Sequence, residues 1–121
     1  MIVAYWIVAG ILAFFYLYSG GIKVVRSRDG LRPMMGWVDD MPFAFVRVIG
    51  ALEVLAALGL ILPPLTGIAP WLALVAAIGL VLVQIGGLIV HLRRGEVRII
   101  GINVGLLVLA GVAAWLATVW L

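Results

Sequence analysis

Few residues in this chain have side chains able to do chemistry, and they sit in apolar surroundings. Glu53 lies inside "RVIGALEVLAALGLILPP", residues 47–64, where Gly, Ala, Leu and Val fill the turns on either side. Tyr16, Ser19 and Lys23 stand at i, i+3 and i+7, which is one stripe of a helix. Gln84 and His91 are seven apart and share a face, and Asn103 and Arg47 join them as polar residues of the apolar runs, with Tyr18, Thr66 and Thr118 beside them. An unpaired carboxylate at membrane depth costs several kcal/mol, so Glu53 must be paired, hydrogen-bonded or protonated. Two roles follow. Glu53 is either an ionisable group at a ligand or proton site, or a pin between helices answered by Lys23, Tyr16 or Gln84. Arg47 is about 240° from Glu53 around a helix, so a direct pair between them is not expected.

Other chemistries fall away. There is no cysteine, which removes disulfides, thiolate metal sites, iron–sulfur clusters and CxxC redox chemistry. A single histidine, His91, does not supply two axial haem ligands. No phosphate loop, nucleophilic triad or metal-spaced cluster of His, Asp and Glu is present, so no metal site is expected. Gln84 and Asn103 read as interhelical hydrogen-bond partners. Tyr16 and Tyr18 have the ring chemistry to stack on a quinone, the one cofactor these residues leave open, although packing alone explains at least one of them.

The elements that must position these residues follow from composition. Of 121 residues, 67% are hydrophobic and 11% charged, far too apolar for a soluble domain this small. A hydrocarbon core of about 30 Å needs about 20 apolar residues per helix. Four runs meet that requirement, at 2–22, 43–62, 71–92 and 99–120, so the whole chain 1–121 reads as one all-α domain, a four-transmembrane-helix bundle. The first run has no basic n-region and no small-residue cleavage site, and reads as a permanent helix rather than a signal peptide. At ~1.5 Å per residue, Glu53 falls ~15 Å into the second helix, near the bilayer midplane.

Charge gives a topology. Lys23, Arg26, Arg28, Arg32 and Arg47 flank the first connection, and Arg93, Arg94 and Arg98 the third, while "LPPLTGIAPW" at 62–71 is uncharged. The positive-inside rule predicts an inner-membrane protein with loops 23–42 and 93–98 cytoplasmic and both termini outside. Trp6, Trp71, Trp115 and Trp120 then anchor the outer interface and Trp37 the inner one. The sequence pI near 10.0 points to anionic lipid headgroups at the basic loops rather than to nucleic acid.

Boundaries have local signals. Pro63-Pro64 is expected to end the second helix, and Pro70 to sit in the first turn of the third. "DDMPF" at 39–43 reads as a helix start with its acids on the helix N-terminus, and "HLRRGE" at 91–96 as a stop capped by Gly95. The segment 24–40 is either a short interfacial helix carrying Met34, Met35, Trp37 and Val38, or an irregular polar loop. "YSGGIKVVRSR" and "QIGGLIVHLRR" are a weak internal echo, of the kind two parallel hairpins would leave.

"FFYLYSGGIKVV", "FVRVIGALEVLAALGLILPP" and a third helix ending in "VHLRRGE" together resemble the DoxX-like membrane proteins. The residues carrying the resemblance are Gly21, Lys23, Gly50, Glu53, Pro63 and His91. It implies a four-helix inner-membrane protein. Relatives are associated with quinone-linked sulfur oxidation or oxidative-stress complexes, and a eukaryotic branch assists assembly of acetylcholine receptors. The fold is also similar to that of vitamin K epoxide reductase, whose thiol chemistry this cysteine-free chain lacks. The favoured reading is a self-associating, non-catalytic accessory or chaperone-like subunit with a quinone or lipid near Glu53 and a membrane or redox protein as partner. The alternatives are a quinone-linked oxidoreductase component and a small proton-coupled transporter. A transporter would need a wet path from both sides, whereas the polar residues crowd toward one.

Overall fold

The computed structural model describes residues 1–33 and 35–121, and at Asp40 the backbone alone. Four long helices, α1 (Ile2–Val25), α3 (Phe43–Thr66), α4 (Leu72–Arg93) and α5 (Val97–Ala117), follow one another up and down. A single-turn helix, α2 (Arg28–Leu31), and a 3-10 turn (Gly36–Asp40) fill the first connection, and another 3-10 turn (Thr118–Trp120) finishes α5. Helix α1 packs on α3, α3 on α4, α4 on α5 and α5 back on α1, so the four close into a ring. Each long helix is long and apolar enough to cross a membrane.

The bundle puts small residues inside and large ones outside. Its core is mostly alanine (Ala9, Ala13, Ala57, Ala77, Ala110 and Ala113 among others) around Tyr5, Leu12, Tyr16, Leu60 and Leu80. Phe14, Val3, Leu55 and Trp115 point outward. That distribution suits lipid as solvent: tails are as apolar as leucine, so helices associate by close contact between small residues.

Two expected boundaries are corrected. Pro63 and Pro64 do not end α3; both lie within it, and the helix runs on to Thr66 before Gly67 takes the left-handed conformation (φ 75°). Pro64 has no N–H to offer the carbonyl four residues back, and that carbonyl, on Leu60, accepts the Tyr5 hydroxyl at 2.5 Å instead. A substitute donor from α1 therefore lets the helix continue. Pro70 sits just ahead of the Trp71 N-cap of α4, not in its first turn. At the other end of α4 the stop is as expected. Gly95 is left-handed (φ 71°), its N–H donates to Leu92 and the Glu96 N–H donates to His91, a Schellman ending.

The segment after α1 is not an irregular loop: it holds two short helical turns, as one of the two expected forms had it, with apolar residues that pack onto the bundle. The Ser27 hydroxyl caps α2, and Leu31 and Val38 are fully buried against Ile22 and Val46, with Met35 and Trp37 packed around them. Met34 lies outside the described residues. Asp39 does not complement the start of α3. It accepts from the Arg32 guanidinium at 2.7 Å, and Arg32 also holds Asp29 at 2.7 Å. The Arg32 hydrogen bond above all, and then the charges of Arg32, Arg28 and Arg94, hold the Asp39 carboxyl below the usual carboxylate range. The first connection thus folds into a small cap over one end of the bundle.

Candidate functional site

Helix α1 supplies the first half of the site. Tyr16, Ser19 and Lys23 share its inward stripe and are all buried. Helix α3 answers with Gly50, Glu53 and Ala57 on one face. The two helices meet at Gly20 and Gly50. A Cβ on Gly50 would lie 2.5 Å from the Lys23 Cβ and 2.8 Å from the Gly20 carbonyl oxygen, so only glycine allows this approach. That contact brings Lys23 onto Glu53.

The result is a closed triad. Lys23 Nζ donates to Glu53 Oε1 at 2.6 Å and to Ser19 Oγ at 2.8 Å, and Ser19 donates to Glu53 Oε2 at 3.2 Å. Each carboxylate oxygen has its own donor. Glu53 is 2% exposed and Lys23 6%. The Trp37 ring, from the cap segment, lies 5.9 Å from Lys23 Nζ and offers its face to the cation. Trp37 was expected as an interfacial anchor; its position over Lys23 depends on how 26–42 folds, for which no local sequence signal exists.

A second set runs across the bundle. Asn103 on α5 donates to Gln84 Oε1 at 2.9 Å, and Gln84 on α4 donates to the Tyr16 hydroxyl at 2.5 Å. These amides tie α5 and α4 to α1, one turn from the Ser19–Glu53 contact. Gly87 lets Asn103 in close, since a Cβ there would stand 3.2 Å from its Nδ2. Asn103 Oδ1 is buried without a hydrogen-bond partner among the described residues.

Six of the eight candidate residues are therefore brought together: Tyr16, Ser19, Lys23, Glu53, Gln84 and Asn103. His91 and Arg47 are not. His91 shares a helix with Gln84 but hydrogen-bonds Glu96 through Nδ1 at 3.1 Å, and Glu96 also takes the Arg94 guanidinium at 2.8 Å. The His91 contact first, and then Arg94, hold the Glu96 carboxyl below its ordinary value. Arg47 stacks on Phe43, its guanidinium carbon 4.7 Å from the ring centroid. Tyr18 is 52% exposed on the outside of α1 and does not share a face with Tyr16.

Two apolar grooves open outward, and neither is lined by a member of the triad or of the amide set. One, about 530 Å³, runs between α3 and α4 past Gly59, Pro63 and Gly79. The other, about 500 Å³, lies between α1 and α3 against Gly21, Val24, Ala51 and Val54. Among the described residues no three His, Asp or Glu side chains gather as a metal-binding group.

Apolar helices with outward-facing bulk, closed around an internal ion pair, define a polytopic four-helix membrane protein. The model of the DoxX-like family matches residues 7–114, a span that takes in every residue of the triad and the amide set, and the chain belongs to that family. No curated protein and no solved structure matches it.

Proposed function

We propose that this protein is a non-catalytic accessory subunit, chaperone-like in action, that works through lateral contacts within the membrane. The observation that carries this reading is the closure of the Lys23–Ser19–Glu53 triad. Every oxygen of the intramembrane carboxylate is committed to the protein's own donors, under a cap that includes Trp37. An acid so engaged serves to lock α1 to α3. What the bundle offers to other molecules is its outer surface, above all the small-residue grooves of α1–α3 and α3–α4.

In this reading the groove beside Ala51 and Val54 takes an apolar ligand, a quinone or a lipid chain, next to Glu53's own turn of α3. The α3–α4 groove takes a helix from a second copy or from a partner membrane protein, which the close approach of small residues favours. The basic loops face the cytoplasm of a plasma membrane and its anionic headgroups, following the charge asymmetry of the connections.

The test is purification in mild detergent from native membranes, with identification of what accompanies the protein. A stoichiometric membrane protein partner supports the reading. Quinone reduction that disappears in Glu53→Gln would replace it with the oxidoreductase alternative. Proton flux into proteoliposomes, abolished by the same substitution, would replace it with a transporter.

A further inference from the structure

Arg28 and Arg47 converge on one aromatic ring from different segments. The guanidinium carbon of Arg28, on α2, is 5.6 Å from the centroid of Phe43, and that of Arg47, on the opening turns of α3, is 4.7 Å away. Arg28 is tethered there, since its guanidinium donates to the Met41 carbonyl at 3.2 Å just ahead of α3. Both side chains are half-buried.

Neither arginine has an ion-pair partner among the described residues. The acids whose side chains are described form their ion pairs elsewhere: Asp29 and Asp39 with Arg32, Glu53 with Lys23, and Glu96 with Arg94 and His91; Asp39 is near enough to feel the Arg28 charge but makes no ion pair with it. The start of α3 adds to the imbalance. It has no acidic residue in its first turn and no side-chain cap, so the positive end of the helix dipole faces the same place. Two guanidinium groups and a helix N-terminus together form a concentrated positive site, half withdrawn from water. Phe43 is also the first residue of a membrane span, which puts this site at the depth of lipid phosphates.

We propose that Arg28 and Arg47, held on either side of the α2–α3 connection by Phe43 and Met41, form a binding site for a phosphate ester, supplied by the headgroup of an anionic phospholipid. The planar fork of each guanidinium matches two phosphate oxygens, and the ring keeps both forks oriented. This site is separate from the triad and does not depend on the accessory-subunit reading.

Native mass spectrometry of the detergent-purified full chain, titrated with phosphatidylglycerol or phosphatidylcholine, tests it. The wild type is expected to prefer phosphatidylglycerol. Each arginine near a membrane surface contributes about fivefold, so R28Q/R47Q should lose about 25-fold in that preference. R93Q/R98Q removes the same charge from exposed arginines of the other basic loop and should keep most of it. R28K/R47K, which preserves charge and folding electrostatics, should fall between, because lysine lacks the fork. Displacement of the lipid by soluble glycerol 3-phosphate would support the phosphate chemistry and assign it to a free ester; failure to displace assigns it to lipid. An unchanged preference in R28Q/R47Q, or an equal loss in R93Q/R98Q, overturns the site.

Discussion

Lys23 Nζ sits 2.6 Å from Glu53 Oε1 where α1 and α3 are in backbone contact at Gly20 and Gly50. The pair is more than a counter-charge. Ser19 closes it into a ring, so removing either charge strands the other in an apolar interior. Lys23→Met or Glu53→Leu alone is expected to cost about 3–5 kcal/mol, because an uncompensated buried charge remains or is forced to neutralise. The double variant K23M/E53L should regain most of that loss, since it removes both charges together. Unfolding in mixed micelles, followed by circular dichroism, gives the three values. A double variant no better than the worse single one would show that the pair is not what holds α1 to α3.

How much of this was legible beforehand depends on the residue. Tyr16, Ser19 and Lys23 could be placed on one stripe because helical periodicity needs no tertiary knowledge, and an acid in an apolar run advertises its need for a partner. The tie from Gln84 to Tyr16 and Asn103 follows the same logic of polar groups seeking each other in an apolar medium. Trp37 and Val38 were not readable, because their burial depends on how the cap folds back over two helix ends. Asp39 was misplaced for a related reason: a nearby arginine competes with a helix dipole, and the local signal for both is the same carboxylate. Pro63-Pro64 carries a local stop signal, because a proline's penalty falls on its own helix, whereas the Tyr5 hydroxyl that relieves it comes from 55 residues before Leu60.

The Gly50 contact gives a second expectation. A methyl at Gly50 would meet the Lys23 Cβ and the Gly20 carbonyl well inside van der Waals distance, and backbone cannot step aside as a flexible side chain can. Gly50→Ala should therefore destabilise by about 1–3 kcal/mol through forced separation of α1 and α3. Gly105, on the exposed face of α5, meets nothing within 4 Å. Gly105→Ala should stabilise by up to about 1 kcal/mol, as alanine does within a helix. Thermal melts of the two variants in the same detergent check the opposite signs.

The Glu96 carboxyl predicts a pH dependence. Its hydrogen bond from His91, and then the Arg94 guanidinium, hold it below its ordinary 4.5 in the folded protein. A depressed acid contributes stability that is present above its unfolded value and is lost as pH falls through the lower folded one. The wild type should therefore lose a small increment below about pH 4.5, roughly 1 kcal/mol at most for a half-buried group at the edge of the bundle. Glu96→Gln should lack that increment at neutral pH and show a flatter profile toward acid. Melting temperatures of both proteins between pH 3 and 7 make the comparison, and parallel curves would remove Glu96 from the account.

The Tyr5–Leu60 hydrogen bond makes the most specific prediction, because the reason for it is covalent. Pro64 leaves the Leu60 carbonyl without its helical donor, and Tyr5 fills the vacancy from α1. Tyr5→Phe keeps the ring and its edge-on contacts with Trp6 and Trp120 but orphans the carbonyl, at an expected cost of about 1–3 kcal/mol. Pro64→Ala restores the N–H at that position, so the carbonyl regains a donor within its own helix. In the P64A background, Tyr5→Phe should then cost less than half of what it costs in the wild type. The difference between the two is the coupling energy of a double-mutant cycle, measured by unfolding all four proteins in one detergent. Equal costs in both backgrounds would mean that Tyr5 stabilises the bundle through its ring alone, and that α3 runs past its prolines for another reason.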